Sequence, residues 1–222
     1  MQEKRSLLAC AVSLALGALV LAGCSQSAPE IVFGTMGLVY YESPRLGEER
    51  FSFFILPKDE DGVEDLSDLY LYHDLAGLSW RLSAGDWVAY ESEGQTWIGS
   101  RSIAMLDGET LPRGQFRAVL VDKGGERGER LFAFDAPDEP RYPFPSLRYT
   151  AETRRYRIES QYPRHYFICY DDAGNYLGTE PVAALEGSTG DLNLPSGTRL
   201  AALWAEDPER SVSALTNLVS LR

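Results

Sequence analysis

Reactive side chains are scarce in this chain. Its 222 residues include three cysteines and two histidines, and beyond residue 23 the only cysteines are Cys24 and Cys169. Two thiols cannot build a disulfide framework, and His73 and His165 fall short of the ligand sets of metal centres and proton-shuttling triads. No Gly-x-Ser-x-Gly elbow, His-Glu-x-x-His helix, phosphate-cradling glycine loop or dinucleotide fingerprint occurs, so the enzyme classes built on those motifs lack their signature. Positive charge is short as well: past residue 23, 19 Lys and Arg stand against 32 Asp and Glu, a balance of −13. Such a surface repels nucleic acid and anionic headgroups, and no nucleic-acid partner is expected. Past the N-terminus no stretch repeats its apolar residues with a helical period.

One long apolar run is present. Lys4 and Arg5 precede an uncharged stretch from Ser6 to Val20, a length that suits the core of an export signal. It closes on Leu21-Ala22-Gly23-Cys24. This ending resembles the lipobox of bacterial lipoproteins, in which small residues fit the peptidase groove and the cysteine thiol accepts a diacylglyceryl group. The resemblance implies a signal peptide at 1–23, cleavage before Cys24 and a lipid on the Cys24 sulfur. Two or three acyl chains, at about 0.8 kcal/mol per buried methylene, exceed what stable anchoring needs; the membrane is thus the first expected partner. Ser25 stands where an aspartate holds many lipoproteins of two-membrane bacteria at the inner membrane, so the resemblance leans toward the outer membrane. A plain membrane-spanning helix over Ser6 to Pro29 competes on length, but it has no use for small residues ending in a cysteine.

The remainder reads as short apolar or aromatic runs separated by turn residues every 8 to 12 positions, which predicts an all-β, sandwich-like architecture. Segments repeat internally. Leu69-Tyr70-Leu71 matches Leu147-Arg148-Tyr149, Leu78-Ser79-Trp80 matches Tyr156-Arg157-Ile158, Trp87 to Gly94 matches Phe167 to Gly174, and Leu111-Pro112-Arg113-Gly114 matches Leu194-Pro195-Ser196-Gly197. The offset grows stepwise from 78 to 83, as loop insertions between matched strands would produce. Leu-Pro-x-Gly before the penultimate strand, with an early Trp facing it, resembles fibronectin type III or immunoglobulin-like sandwiches. That resemblance implies two tandem domains, 31–136 and 146–222, after a lipidated tether at 24–30. Between them, residues 137–145 hold four prolines in nine positions, which predicts a semi-rigid spacer, stiffened by Tyr142 and Phe144 at the interface. Ile31-Val32-Phe33 and Leu38 to Tyr41 read as strands parted by turns at Gly34 and Gly37, and Phe51 to Leu56 as a strand buried against the first domain.

Among possible sites, Asp59-Glu60-Asp61-Gly62-Val63-Glu64-Asp65 is the best candidate. Carboxylates of Asp59, Asp61 and Asp65 around a glycine turn can converge on a hard cation such as calcium. Pro57 and a missing terminal glutamate rule out a complete EF-hand loop, and a solvated acidic turn is the plainer reading. Cys169 reads as a small buried hydrophobe, His73-Asp74 as a turn, and Asp171-Asp172 as hairpin chemistry. Arg148, Arg154, Arg155, Arg157 and Arg164 form either a solvated edge or a patch for an acidic partner or anionic lipid. Tyr70 and Tyr72 alternate with core leucines and are expected beneath the N-terminal strands.

No catalytic residue and no obligatory cofactor is expected. The function expected is a lipid-anchored envelope protein, non-enzymatic, that binds or scaffolds another envelope protein. A carboxylate-based envelope hydrolase and a calcium or small-ligand capture module are the alternatives. Cys24→Ser is expected to abolish fatty-acid labelling in growing cells and leave the precursor uncleaved; labelled Cys24→Ser protein would refute the lipidation site.

Overall fold

The computed structural model describes residues 27–43, 48–106 and 108–222. The signal segment, Cys24 and the first part of the tether lie outside the described residues. The described chain is almost wholly β, and among these residues no helix is long and apolar enough to cross a membrane.

Eight strands form the first half: β1 Glu30–Tyr41, β2 Glu48–Lys58, β3 Leu66–His73, β4 Leu78–Ser83, β5 Val88–Ser92, β6 Gln95–Ala104, β7 Gly114–Asp122 and β8 Arg127–Phe134. They stack as two layers, β1-β2-β6-β5 against β4-β3-β7-β8. Period-two alternation fixes the facing sides: Phe51, Phe53 and Ile55 from one layer, Leu69, Leu71, Phe116, Ala118 and Leu120 from the other, all buried. Phe51 sits at the centre, edge-on to Trp80, Phe116 and Phe134 at ring separations of 5.9, 5.0 and 4.7 Å. Trp80 packs on the same core as Leu111 of the Leu-Pro-Arg-Gly segment. The β5–β6 turn has two residues, Glu93 at φ 54° and Gly94 at φ 72°, the left-handed pair that suits a tight hairpin.

The second half contains β9 Ser146–Thr150, β10 Arg155–Glu159, β11 Arg164–Tyr170, β12 Tyr176–Pro181, β13 Glu186–Ser188, β14 Leu200–Asp207, β15 Val212–Leu215 and the short β16 Val219–Ser220. Three strands, β13-β10-β9, form one sheet, while β12-β11-β14-β15 runs in the other, with β16 on β14. Tyr156, Ile158, Phe167, Cys169, Val182, Ala201 and Leu203 fill a second core. β15 ends at Leu215, and the two-residue β16 follows after a break.

Three expectations are corrected. Gly34 and Gly37 are not turns but lie inside a single twelve-residue β1. Their small size serves close approach: a Cβ on Gly34 would lie 2.5 Å from the Phe132 ring, and one on Gly37 3.0 Å from the Ser211 carbonyl. The matched segments fold into corresponding strands but not corresponding sheets. In the second half β14 pairs with β11, whereas in the first its counterpart β7 pairs with β3 and leaves β5 at a free edge. Every residue of β5 is exposed, and the buried side of the layer facing Phe116, Ala118 and Leu120 is supplied by β1, β2 and β6. Finally, the spacer is not the sole link between the halves. Leu38 to Tyr41 of β1 pairs in parallel with Val212 to Leu215 of β15, so one nine-stranded sheet runs through both halves.

Buried polar bonds secure the spacer. Arg113 donates bidentately to Glu49, 2.8 Å for Nη2 to Oε1 and 3.1 Å for Nη1 to Oε2, and to the carbonyls of Ala136 and Pro137 at 3.0 and 2.8 Å. At the other end Tyr142 donates to Asp207 at 2.8 Å, beside an Arg210 bond of 3.0 Å to the same oxygen. Arg113→Met keeps much of the stem but removes these donors and leaves the buried Glu49 carboxylate unpaired. The expected cost is about 3–5 kcal/mol, read as a lower urea midpoint of the purified protein; native stability would contradict the clamp.

Candidate functional site

The acidic turn folds back onto a strand far away in sequence. After β2 the chain reverses through Asp59 to Gly62, with the Gly62 amide donating to the Asp59 carbonyl at 3.3 Å. A single 3-10 turn, Val63–Asp65, then leads into β3. Leu66 is paired with Asp122 across β3 and β7, and the Lys123 amide donates to the Asp65 carbonyl at 2.8 Å. This register sets the end of β7 against the turn. One carboxylate oxygen from each of Asp59, Asp65 and Asp122 lies within 4.8 Å of the other two.

The structure therefore brings together two of the three expected residues and replaces the third. Asp61 is exposed, and its amide orients Asp59 by donating to Oδ1 at 3.1 Å. Asp122, missed in the sequence, is 2% exposed. Its Oδ1 accepts from the Glu126 amide at 2.9 Å, while the Oδ2 atoms of Asp59, Asp65 and Asp122 are all shut from solvent without a hydrogen-bond partner. No ion pair among the described residues reaches any of the three. Ionised carboxylates this close repel by roughly 3 kcal/mol per pair at an effective dielectric near 20. A signal for Asp122 was readable: it continues the inward parity of Phe116, Ala118 and Leu120, where an aspartate has no reason to be unless something pairs with it.

Other sequence candidates have structural employment. His73 is buried, with Nδ1 accepting from the Ala76 amide at 3.1 Å and Nε2 2.9 Å from the Arg113 carbonyl. Burial pushes the Cys169 thiol up and His165 down from their ordinary values, the wrong direction for a thiolate and its base. Asp171 is held low by hydrogen bonds from Asn175, as a turn former, and Asp172 pairs with Arg222. The five arginines are exposed and three of them are met by acids: Arg148 and Arg157 are paired across β9 and β10, with Glu159 and Glu186 at 4.0 and 3.2 Å, and Arg164 lies 4.0 Å from Glu206. Tyr70 and Tyr72 stack on each other at 5.9 Å. They lie not under the N-terminal strands, which belong to the opposite layer, but under Arg81 and Arg117 from neighbouring strands.

An aromatic row crosses the outer face of β1-β2-β6-β5. Phe33 is opposite Leu56, and Tyr90 opposite Trp97. Trp97 meets Phe33 edge-on at 6.0 Å and stacks on Tyr90 at 6.3 Å, and Tyr90 covers Phe54 at 5.2 Å. Phe33 is 52% exposed and Val88 48%. Two clefts flank the spacer, one of about 660 Å³ bordered by Met36, Asp135, Arg141 and Glu209, the other of about 560 Å³ bordered by Tyr40, Tyr142, Phe144 and Tyr162. Burial, with Glu49 nearby, pushes Tyr40 up to about 12, so its hydroxyl stays protonated.

No protein-family model and no curated protein matches the chain. Among solved structures it is similar to Tp47, the 47-kilodalton lipoprotein of Treponema pallidum, at 13% identity and TM-score 0.43, over 87% of this chain and 52% of that one; it thus spans about half that protein's length. It is also similar to dimeric latent PorU from Porphyromonas gingivalis at 14% identity and TM-score 0.35, over 89% of this chain and 21% of that one. Murine CEACAM1b is similar at 10% identity and TM-score 0.24, over 86% and 99%.

Proposed function

We propose that the chain is a lipid-anchored protein of the bacterial envelope, favouring the outer membrane, with a non-enzymatic binding or scaffolding role toward another envelope protein. Its N-terminal pattern, with Cys24 as the acceptor, supports the anchor. The observation that carries the binding role is the outward row of Phe33, Trp97 and Tyr90. Phe33 and Tyr90 are exposed and Trp97 is half-buried between them, and aromatics grouped on a sheet face offer large contact area at low entropic cost. The row adjoins β5, which among the described residues is paired on one side only, so a partner reaching the rings also meets a strand edge.

A photo-cross-linking residue at Val88 is expected to capture a discrete envelope protein in intact cells. Phe33→Ala with Tyr90→Ala is expected to cut that adduct about tenfold or more, as loss of interface anchors does, without lowering the protein's level. A normally abundant, membrane-bound protein that yields no adduct at Val88 would count against the role.

A further inference from the structure

We infer that Asp59, Asp65 and Asp122 form a calcium site that fastens the β2–β3 connection to the turn after β7. A solvated acidic loop accounts for Asp61 but not for Asp122. That carboxylate is almost fully enclosed at 2% exposure, and its Oδ2 has no partner. A buried charge needs either an opposite charge or a metal. The Oδ2 atoms of Asp59 and Asp65 are orphaned beside it, and among the described residues no basic side chain forms an ion pair with any of the three. Three formal negative charges around one point are what a divalent cation relieves.

The donor set selects the ion. All donors are carboxylate oxygens, with neither histidine nor cysteine, which disfavours zinc and the softer transition metals. Oxygens up to 4.8 Å apart fit around calcium, whose bonds of roughly 2.3–2.6 Å tolerate irregular geometry. Magnesium demands a tighter octahedron at about 2.0–2.1 Å and gives up its water reluctantly. Water completes the shell. The site differs from a calcium-binding helix–loop–helix because its most enclosed ligand comes from a strand remote in sequence. It lies at the end of the sandwich where β1 begins, since Glu30 is paired with Lys58, the residue before Asp59.

The test uses the purified full chain in detergent, stripped with chelator, by calorimetric titration and thermal unfolding. Saturable heat is expected with a dissociation constant of about 0.1–1 mM, the range of extracellular calcium modules. Calcium at ten times that value is expected to raise the unfolding midpoint by roughly 3–6 °C. Asp59→Asn and Asp122→Asn are each expected to weaken binding about tenfold or more, whereas Asp61→Asn binds as the native chain does. Should Asp122→Asn fail to fold, Asp59→Asn, on a half-buried turn, decides alone. The inference is overturned by absence of both heat and midpoint shift up to about 10 mM calcium, by undiminished binding in Asp59→Asn, or by an equal response to magnesium.

Discussion

Four residues of β1 hydrogen-bonded in parallel to four of β15 hold the architecture together. Parallel pairing cannot be closed by a tight turn and needs a long connection, and here almost the entire chain is that connection. The Leu38 amide donates to the Ser211 carbonyl at 2.8 Å and the Glu42 amide to Leu215 at 3.1 Å. Because of this ladder, the first core is completed by Tyr162, Ala205, Val212 and Ala214 from the second half. It also explains the absence of a side chain at Gly37, which faces the Ser211 carbonyl. The clamps at Glu49–Arg113 and Tyr142–Asp207 act on the same joint, holding the proline segment against the sheet it bridges. Burial works against the charge on Asp207, but bonds from Tyr142 and Arg210 outweigh it and hold the carboxyl below its usual range.

Local chemistry made most strands readable. The alternation in Phe51 to Ile55 and Leu69 to Leu71, the Glu93-Gly94 turn and the Asp171 to Asn175 turn all follow from short-range rules, and each folds as those rules predict. Long-range pairing is another matter. Nothing within Leu38 to Tyr41 names Val212 as its neighbour, and nothing in the matched Leu-Pro-x-Gly segments says that their strands join different sheets. Gly34 and Gly37 were misread for the same reason: glycine marks turns and close approaches alike, and only the packed neighbours, Phe132 and Ser211, distinguish them.

The candidate site was half legible. Asp59 and Asp65 belong to one acidic turn, but the residue that changes their meaning, Asp122, comes from a strand end fifty-seven positions past Asp65. The exposed rings were less legible still, because Phe33, Tyr90 and Trp97 sit on three strands and become a row only through the register of β1, β2, β6 and β5. Both features lie in the first half, the rings on β1-β2-β6-β5 and the carboxylates between β2 and β3 and at the end of β7 in the opposing layer. Their spacing therefore does not depend on a hinge between the halves.

Amide hydrogen exchange on the intact chain tests that framework most directly. The Leu38 and Glu42 amides point toward β15 and are protected only if the two halves are joined there. Protection comparable to that of Ile55 in the first core is the result this structure predicts. Rapid exchange at Leu38 and Glu42 while Ile55 stays protected would mean that the halves are independent and the parallel ladder does not form.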